Sequence, residues 1–455
     1  MKTFDAIIIG AGQAGPPLAE RLTQAGQTVC VIERKLVGGT CVNTGCMPTK
    51  ALVASAYAAH LARRGGEFGV VTGDVRVDMS KVADRAYTVT LNARAGVESW
   101  LEGLTGCTLL RGHAGFERAH IIRVGDDQIT APRIFINVGA RATVPDLPGL
   151  TDVPWLTNTD MVALARLPQH LVIIGGSYIA LEFAQMYRRF GAEVTVIEKG
   201  ERLIAREDAD ISAAVRAILE AEGIVIHTGA ADMHIARHDA GVCVSIGQSQ
   251  VVGSDLLIAT GRMPNTDDLG LAAAGIDCDA HGYIVVGDDL GTTAPGVWAM
   301  GDCNGRGAFT HTAFNDFEIV AANLLDGDHR KVSDRILGYA LYIDPPLGRV
   351  SMGEAEAVKA GHKVLVSQRP MTRVGRAVEK GETQGFIKIV ADADTRKILG
   401  AAILGTGGDE AIHGVLDMMN AGVTCDVLQW AVPIHPTVSE LLPTVLKGLK
   451  PTAAR

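Results

Sequence analysis

Two stretches of this chain share one local design, and that repetition limits the fold more than any other feature. The first runs Ala6–Ile9 into Gly10-Ala11-Gly12-Gln13-Ala14-Gly15, then a helical stretch, then Thr28–Ile32 ending on Glu33. The second runs His170–Ile174 into Gly175-Gly176-Ser177-Tyr178-Ile179-Ala180, then helix, then Glu193–Ile197 ending on Glu198. In both, the acid falls 23 residues after the first glycine. Each reads as strand, tight turn, helix, strand. The first glycine makes the turn, the second position lets backbone approach a pyrophosphate, and the third lets helix pack on strand. The terminal acid suits ribose hydroxyls. Pro16 and Pro17 come early in the first helix, where a missing N–H is tolerated. Ser177 and Ala180 replace glycine in the second copy, and both are small.

Residues 147–170 are rich in proline and turn formers and are expected to link the two units. After residue 330 the pattern changes. Leu337–Ile343, Lys363–Val366, Gly385–Val390 and Ile398–Leu404 read as strands without intervening helices, and helices are expected at Glu410–Asn420 and Val438–Leu449. The expected class is α/β: two Rossmann-like units followed by an α+β C-terminal domain. A net charge of −9 and the lack of any Lys/Arg run argue against nucleic acid. The apolar runs are strand-sized, too short for a membrane span. The N-terminus runs straight into the glycine turn with no signal-peptide pattern, so a cytoplasmic protein is expected.

Of eight cysteines, only Cys41 and Cys46 form a close pair, within Gly38-GTCVNTGCMPT-Lys50. A helix beginning near Met47–Pro48 would place a thiol at a positive dipole end, which favours thiolate. Two thiols at this spacing can close a reversible disulfide, and Gly38, Gly39 and Gly45 would let a flat cofactor come close. A zinc site would need a second Cys/His pair, and none is evident; no metal is expected. Two unrelated buried thiols are the plain alternative. A position eight residues after the ribose acid Glu33 favours the redox pair.

With this motif the chain resembles the flavoprotein disulfide reductases: dihydrolipoamide dehydrogenase, glutathione reductase, mercuric reductase and relatives. Three further segments are similar to family motifs: Ala259-TGRMP-Asn265-Thr266, Val297-WAM-Gly301-Asp302 and His435-PTVS-Glu440. The resemblance implies FAD along Gly10, Gly12 and Gly15, with Glu33 on its ribose, Thr40 and Lys50 near the flavin, Asp302 on the ribityl chain and Gly139 also in contact. It implies a nicotinamide dinucleotide on Gly175, Ile179, Glu198, Gly261 and Arg262, with Tyr178 covering the flavin until nicotinamide arrives. Lys50 would pair with Glu182, Cys46 would touch the flavin and Cys41 would attack substrate. The domains implied are 1–147 for FAD, 148–270 for NAD(P), 271–332 returning to the FAD domain, and 333–455 for dimerisation.

The resemblance also makes His435 the catalytic base, oriented by Glu440 and supplied by the other subunit of a homodimer. The two could meet if the turn leads into a helix. Glu198 favours NAD(H), while Lys199, Arg202 and Arg206 leave NADP(H) as the alternative. The expected acceptor is a dithiol/disulfide, as for dihydrolipoamide dehydrogenase. DPPLGRVSM and AGQAGPPLAE point instead toward the mercuric-reductase-like branch and a copper or mercuric ion acceptor. The chain end LKGLKPTAAR carries no cysteine pair, which speaks against efficient mercuric reduction. An NADH oxidase or peroxidase and a redox-inactive FAD-binding structural subunit are the remaining rivals. The intact thiol pair argues against both.

Overall fold

The spacing of 23 residues is a strand register. In the computed structural model, which describes residues 1–452, Ala6 pairs with Val29 and Ile9 with Ile32. His170 pairs with Glu193 and Ile174 with Ile197. Parallel pairing at that offset puts each terminal acid beside the first glycine of its own turn. The same backbone bond closes both units: Gly10 N–H donates to Ile32 O at 2.8 Å, and Gly175 N–H to Ile197 O at 2.8 Å.

The likeness extends beyond the quoted segments. Strand Ala6–Ile9 lies between Val29–Glu33 and Arg133–Ile136, with Cys107–Arg111 beyond the first. Strand His170–Ile174 lies between Glu193–Ile197 and Asp255–Ile258, with Val225–His227 beyond the first. All these pairs are parallel. The first sheet gains a fifth strand, Val297–Ala299, when the chain returns to it. The central strands are buried along nearly their whole length. Each sheet is covered by helices on one face and by a small antiparallel sheet on the other, which explains the continuous apolar runs.

Gly10 and Gly175 hold equivalent places with φ of +103° and +119°. A Cβ on Gly10 would collide with the Asn137 carbonyl oxygen, and one on Gly175 with that of Ala259. Each of those residues directly follows its sheet's matching strand. Gly175→Ala is therefore expected to destabilise the protein by about 1–3 kcal/mol through backbone strain alone. Thermal melting checks this, and an unchanged midpoint would mean the turn has room. Beyond the two carbonyls, Ala140–Ala142 and Arg262–Pro264 pair antiparallel and tie the two units together.

From residue 338 the chain builds a six-stranded antiparallel sheet. It contains the four expected strands and two more, Leu347–Ser351 and Lys450–Pro451. The first was hidden by Pro345, Pro346 and a central Arg349, which is buried with its guanidinium 3.6 Å from Glu207. The expected helix 410–420 breaks into Gly408–Ala411 and His413–Asn420. The expected helix 438–449 shrinks to a 3₁₀ turn, Ser439–Leu441, and the helix Leu442–Lys447. Pro443 sits in the first turn of that helix, where proline is accepted.

Candidate active site

The redox loop is fixed by the first glycine turn. Gly38 N–H donates to Ala11 O at 2.8 Å. A Cβ on Gly39 would lie 2.9 Å from the Cα of Gly12, so only glycine lets the two backbones meet. Cys41 lies in the short helix Gly39–Asn43. Cys46 is the first residue of the helix Cys46–Arg63, slightly earlier than the sequence pattern placed its start. Asn43 Nδ2 closes the loop on Val37 O and Gly39 O, both at 2.9 Å, and Asn158 Nδ2 holds Thr44 O at 3.0 Å.

The two sulfurs are free thiols in hydrogen-bond contact. Thr310 Oγ1 stands 3.2 Å from Cys46 Sγ. Thr310 opens the helix Thr310–Ala321, so two helix amino ends meet at this sulfur. The hydrogen bond from Cys41 lowers the Cys46 pKa to about 6, against the effect of burial; the Thr310 hydroxyl and the Lys50 charge add to the lowering. Cys41 moves the opposite way, raised by its bond to Cys46 and by burial. Lys50 Nζ donates to Glu182 Oε2 at 2.7 Å and lies 4.3 Å from the centre of the Tyr342 ring. The other Glu182 oxygen accepts the Tyr342 N–H at 3.0 Å.

These groups border one end of a cavity of about 1250 Å³. Its walls include Gly10, Gly12, Glu33, Thr40, Cys41, Cys46, Lys50, Gly139, Tyr178, Ile179, Glu182, Arg262 and Asp302. That volume exceeds the roughly 300–1,000 Å³ of a drug-sized ligand site and suits a dinucleotide. Glu33 accepts the Ala11 N–H at 2.9 Å and the Lys35 N–H at 2.8 Å. Asp302 lies 3.1 Å from Arg262 Nη2, which also reaches Ala140 O at 2.7 Å. The cradle thus offers a glycine turn and the carboxylates of Glu33 and Asp302 within one cavity of dinucleotide size, and the residues present fit FAD.

Gly15, Gly175, Glu198 and Gly261 do not line this cavity. Gly15 packs against Gly10 O inside the turn, the helix–strand role of the third glycine. Glu198 accepts the Gly200 N–H at 2.6 Å. His435 and Glu440 do meet, with Nδ1 to Oε2 at 2.8 Å, yet they too lie outside the cavity wall. The His435 side chain is 80% exposed and stands beside exposed Trp430, Val432 and Ile434. Sequence reasoning missed Asn137, Thr310 and Tyr342. No motif marks them, and each reaches the site through a distant strand or helix. Among the described residues no group of three His, Cys, Asp or Glu side chains could hold a metal. No described helix is long and apolar enough to cross a membrane.

A dinucleotide cradle that ends on a polarised thiol pair is the equipment of an oxidoreductase that works on sulfur. The chain belongs to the pyridine nucleotide-disulphide oxidoreductase family, whose description matches residues 4–316, and its dimerisation domain matches residues 338–446. FAD and a pyridine nucleotide are the cofactors of that family. A probable pyridine nucleotide-disulfide oxidoreductase, RclA of Escherichia coli, is 36% identical over 97% of this chain and 98% of its own. A dihydrolipoyl dehydrogenase of Thermus scotoductus is 33% identical over 99% and 98%, and a mercuric reductase of Bacillus cereus 33% over 96% and 70%. The solved structure of the HOCl-induced flavoprotein disulfide reductase RclA superposes with a TM-score of 0.90 at 35% identity, covering 97% of this chain and 99% of that one.

Proposed function

We propose that the protein is an FAD-dependent NAD(P)H:disulfide oxidoreductase with a dihydrolipoamide-like dithiol/disulfide acceptor. The observation that carries this reading is the unequal thiol pair at the end of the cradle, with Cys46 held toward thiolate beside Lys50 and Thr310. In this reading Gly10, Gly12, Gly15, Glu33, Thr40, Gly139 and Asp302 would hold FAD. Gly175, Ile179, Glu198, Gly261 and Arg262 would hold the nicotinamide dinucleotide. The domains divide at 147, 270 and 332, and the compartment is the reducing cytoplasm. Bound flavin supplies two-electron exchange between nicotinamide and sulfur.

The remaining steps belong to the chain. Lys50, fixed by Glu182, keeps positive charge beside Cys46. The Cys41 thiol gives its proton to His435 of the partner subunit, and its sulfur attacks the acceptor disulfide. A mixed disulfide forms, and the leaving sulfur takes the proton from the imidazolium. Cys46 thiolate then attacks Cys41, closing the Cys41–Cys46 bond and releasing the second acceptor sulfur as thiolate. The acceptor gains two electrons and the pair loses two. Glu440 orients the imidazole and stabilises its charged form.

A second reading has a specific observation behind it. Relatives at similar identity carry the name mercuric reductase, and one RclA structure is a Cu(II) complex. In that reading the same thiols deliver electrons to a soft metal ion. Anaerobic turnover of the FAD-loaded enzyme against lipoamide, glutathione disulfide, copper(II) and mercury(II), with oxygen assayed separately, decides between them. We expect lipoamide-type turnover, with NADH preferred over NADPH by at least about tenfold, because Glu198 faces the 2′-phosphate with like charge. Turnover of metal ions alone establishes the second reading. Turnover of oxygen alone marks an oxidase. No turnover of any acceptor leaves an FAD-binding structural subunit.

A further inference from the structure

At the cavity wall stands a group of four rings, one of which, Tyr339, lies behind the wall and has no part in the chemistry above. Phe309 and Tyr339 stack with centres 5.6 Å apart and planes at 7°, and His311 stacks on Phe309 at 5.4 Å and 9°. Tyr178 leans on two of them, 5.8 Å from Phe309 and 5.9 Å from Tyr339. Tyr178, Phe309 and His311 line the cavity, whereas Tyr339 does not. Tyr339 therefore supports both Tyr178 and Phe309 from behind.

The Tyr339 ring is not free to follow its neighbours. Its hydroxyl donates to Glu207, a buried carboxylate whose second oxygen faces the Arg349 guanidinium at 3.6 Å. The next residue, Asp208, accepts the Glu354 and Ala355 N–H groups at 3.0 and 3.2 Å. Lys388, buried in the six-stranded sheet, grips Asp208 at 3.1 Å and Asp210 at 2.9 Å. The segment that pins Tyr339 is thus itself fastened to two strands of that sheet. Tyr178 differs. It is the first residue of the helix Tyr178–Phe190, so its backbone is fixed and its motion is side-chain rotation.

We propose that Tyr339 is a positioning residue that sets how readily Tyr178 turns aside to admit a nicotinamide dinucleotide. The inference rests on reading Tyr178 as the side chain that covers the site. Rotation of Tyr178 gives up its contacts with Phe309 and Tyr339. A pinned ring offers that contact at one place only, so it favours the covering rotamer over the open ones. A dinucleotide that binds only the open form has its apparent affinity reduced by the fraction that is open. One aromatic contact moves such an equilibrium about two- to tenfold.

The test is equilibrium binding of NAD⁺ to the oxidised, FAD-loaded enzyme, with no acceptor present. Tyr178→Ala is expected to tighten binding by removing the cover. Tyr339→Ala should tighten it about two- to tenfold. Tyr339→Phe keeps the ring but loses its tie to Glu207, and should tighten binding by less than Tyr339→Ala does. In a Tyr178→Ala background, Tyr339→Ala should add nothing, because the two act through one contact. Tyr339→Leu, which keeps apolar volume, replaces the alanine variant if that fails to retain FAD. An unchanged or weaker affinity for the Tyr339 variants, beside a tightened Tyr178→Ala, overturns the inference alone. An equal effect of Tyr339→Ala with and without Tyr178 also overturns it. If Tyr178→Ala does not tighten binding, the covering role of Tyr178 falls and the inference falls with it.

Discussion

Serine in place of Cys46 is expected to leave a yellow, folded protein whose disulfide turnover drops to background. Among the described residues the Cys46 thiol is the group at the cradle's end that can close a bond with Cys41, and a hydroxyl cannot replace it. FAD content, read from absorbance, should stay near wild type, because the glycine turn, Glu33 and Asp302 lie elsewhere on the cavity wall. The pH dependence is part of the same expectation. A lowered pKa means thiolate persists above about 6 and is lost as pH falls through that value. At pH 7 such a thiol is about nine-tenths thiolate, whereas an ordinary one is only a few per cent ionised. Alkylation of the dithiol form with iodoacetamide should therefore rise with a midpoint near pH 6 at Cys46. A Cys46 midpoint near that of an ordinary thiol, or full turnover by the serine variant, would falsify the relay.

His435→Ala is expected to cut disulfide turnover by roughly 10²–10⁴-fold, the usual worth of a positioned acid–base group. Reduction of the bound cofactor by nicotinamide should be spared, because His435 lies outside the cavity wall. The imidazole is oriented by Glu440 but opens to solvent amid exposed apolar side chains, as a group awaiting a second subunit would be. Mixing two inactive variants tests that sharing. Subunits carrying Cys46→Ser and His435→Ala, reassembled in equal amounts, form mixed pairs half of the time. Each mixed pair of a two-fold dimer has one intact site, so about a quarter of wild-type turnover should return. No recovery would mean that the dyad serves its own subunit.

Some of this was legible from local order. A period of 23 residues, glycine to acid, is a statement about register, and parallel strands leave little freedom in it. The approach of His435 to Glu440 follows from a short turn, since only five residues separate them. The strand Leu347–Ser351 was not legible, because a buried arginine looks polar until its partner Glu207 is known.

Sequence alone determined the two dinucleotide units, the paired thiols and the change of architecture after residue 330, since each is set by neighbours within a turn or a strand. The tertiary structure decided the chemistry around the sulfur. Thr310 meets Cys46 across 264 residues and Lys50 meets Glu182 across 132, through the return of the chain to the first sheet and the docking of one unit's helix on the other's. Resemblance could suggest the second pair, but no pattern in the chain encodes either distance. Local periodicity records which face of an element is buried; which distant element covers that face is settled only when the sheets take their order.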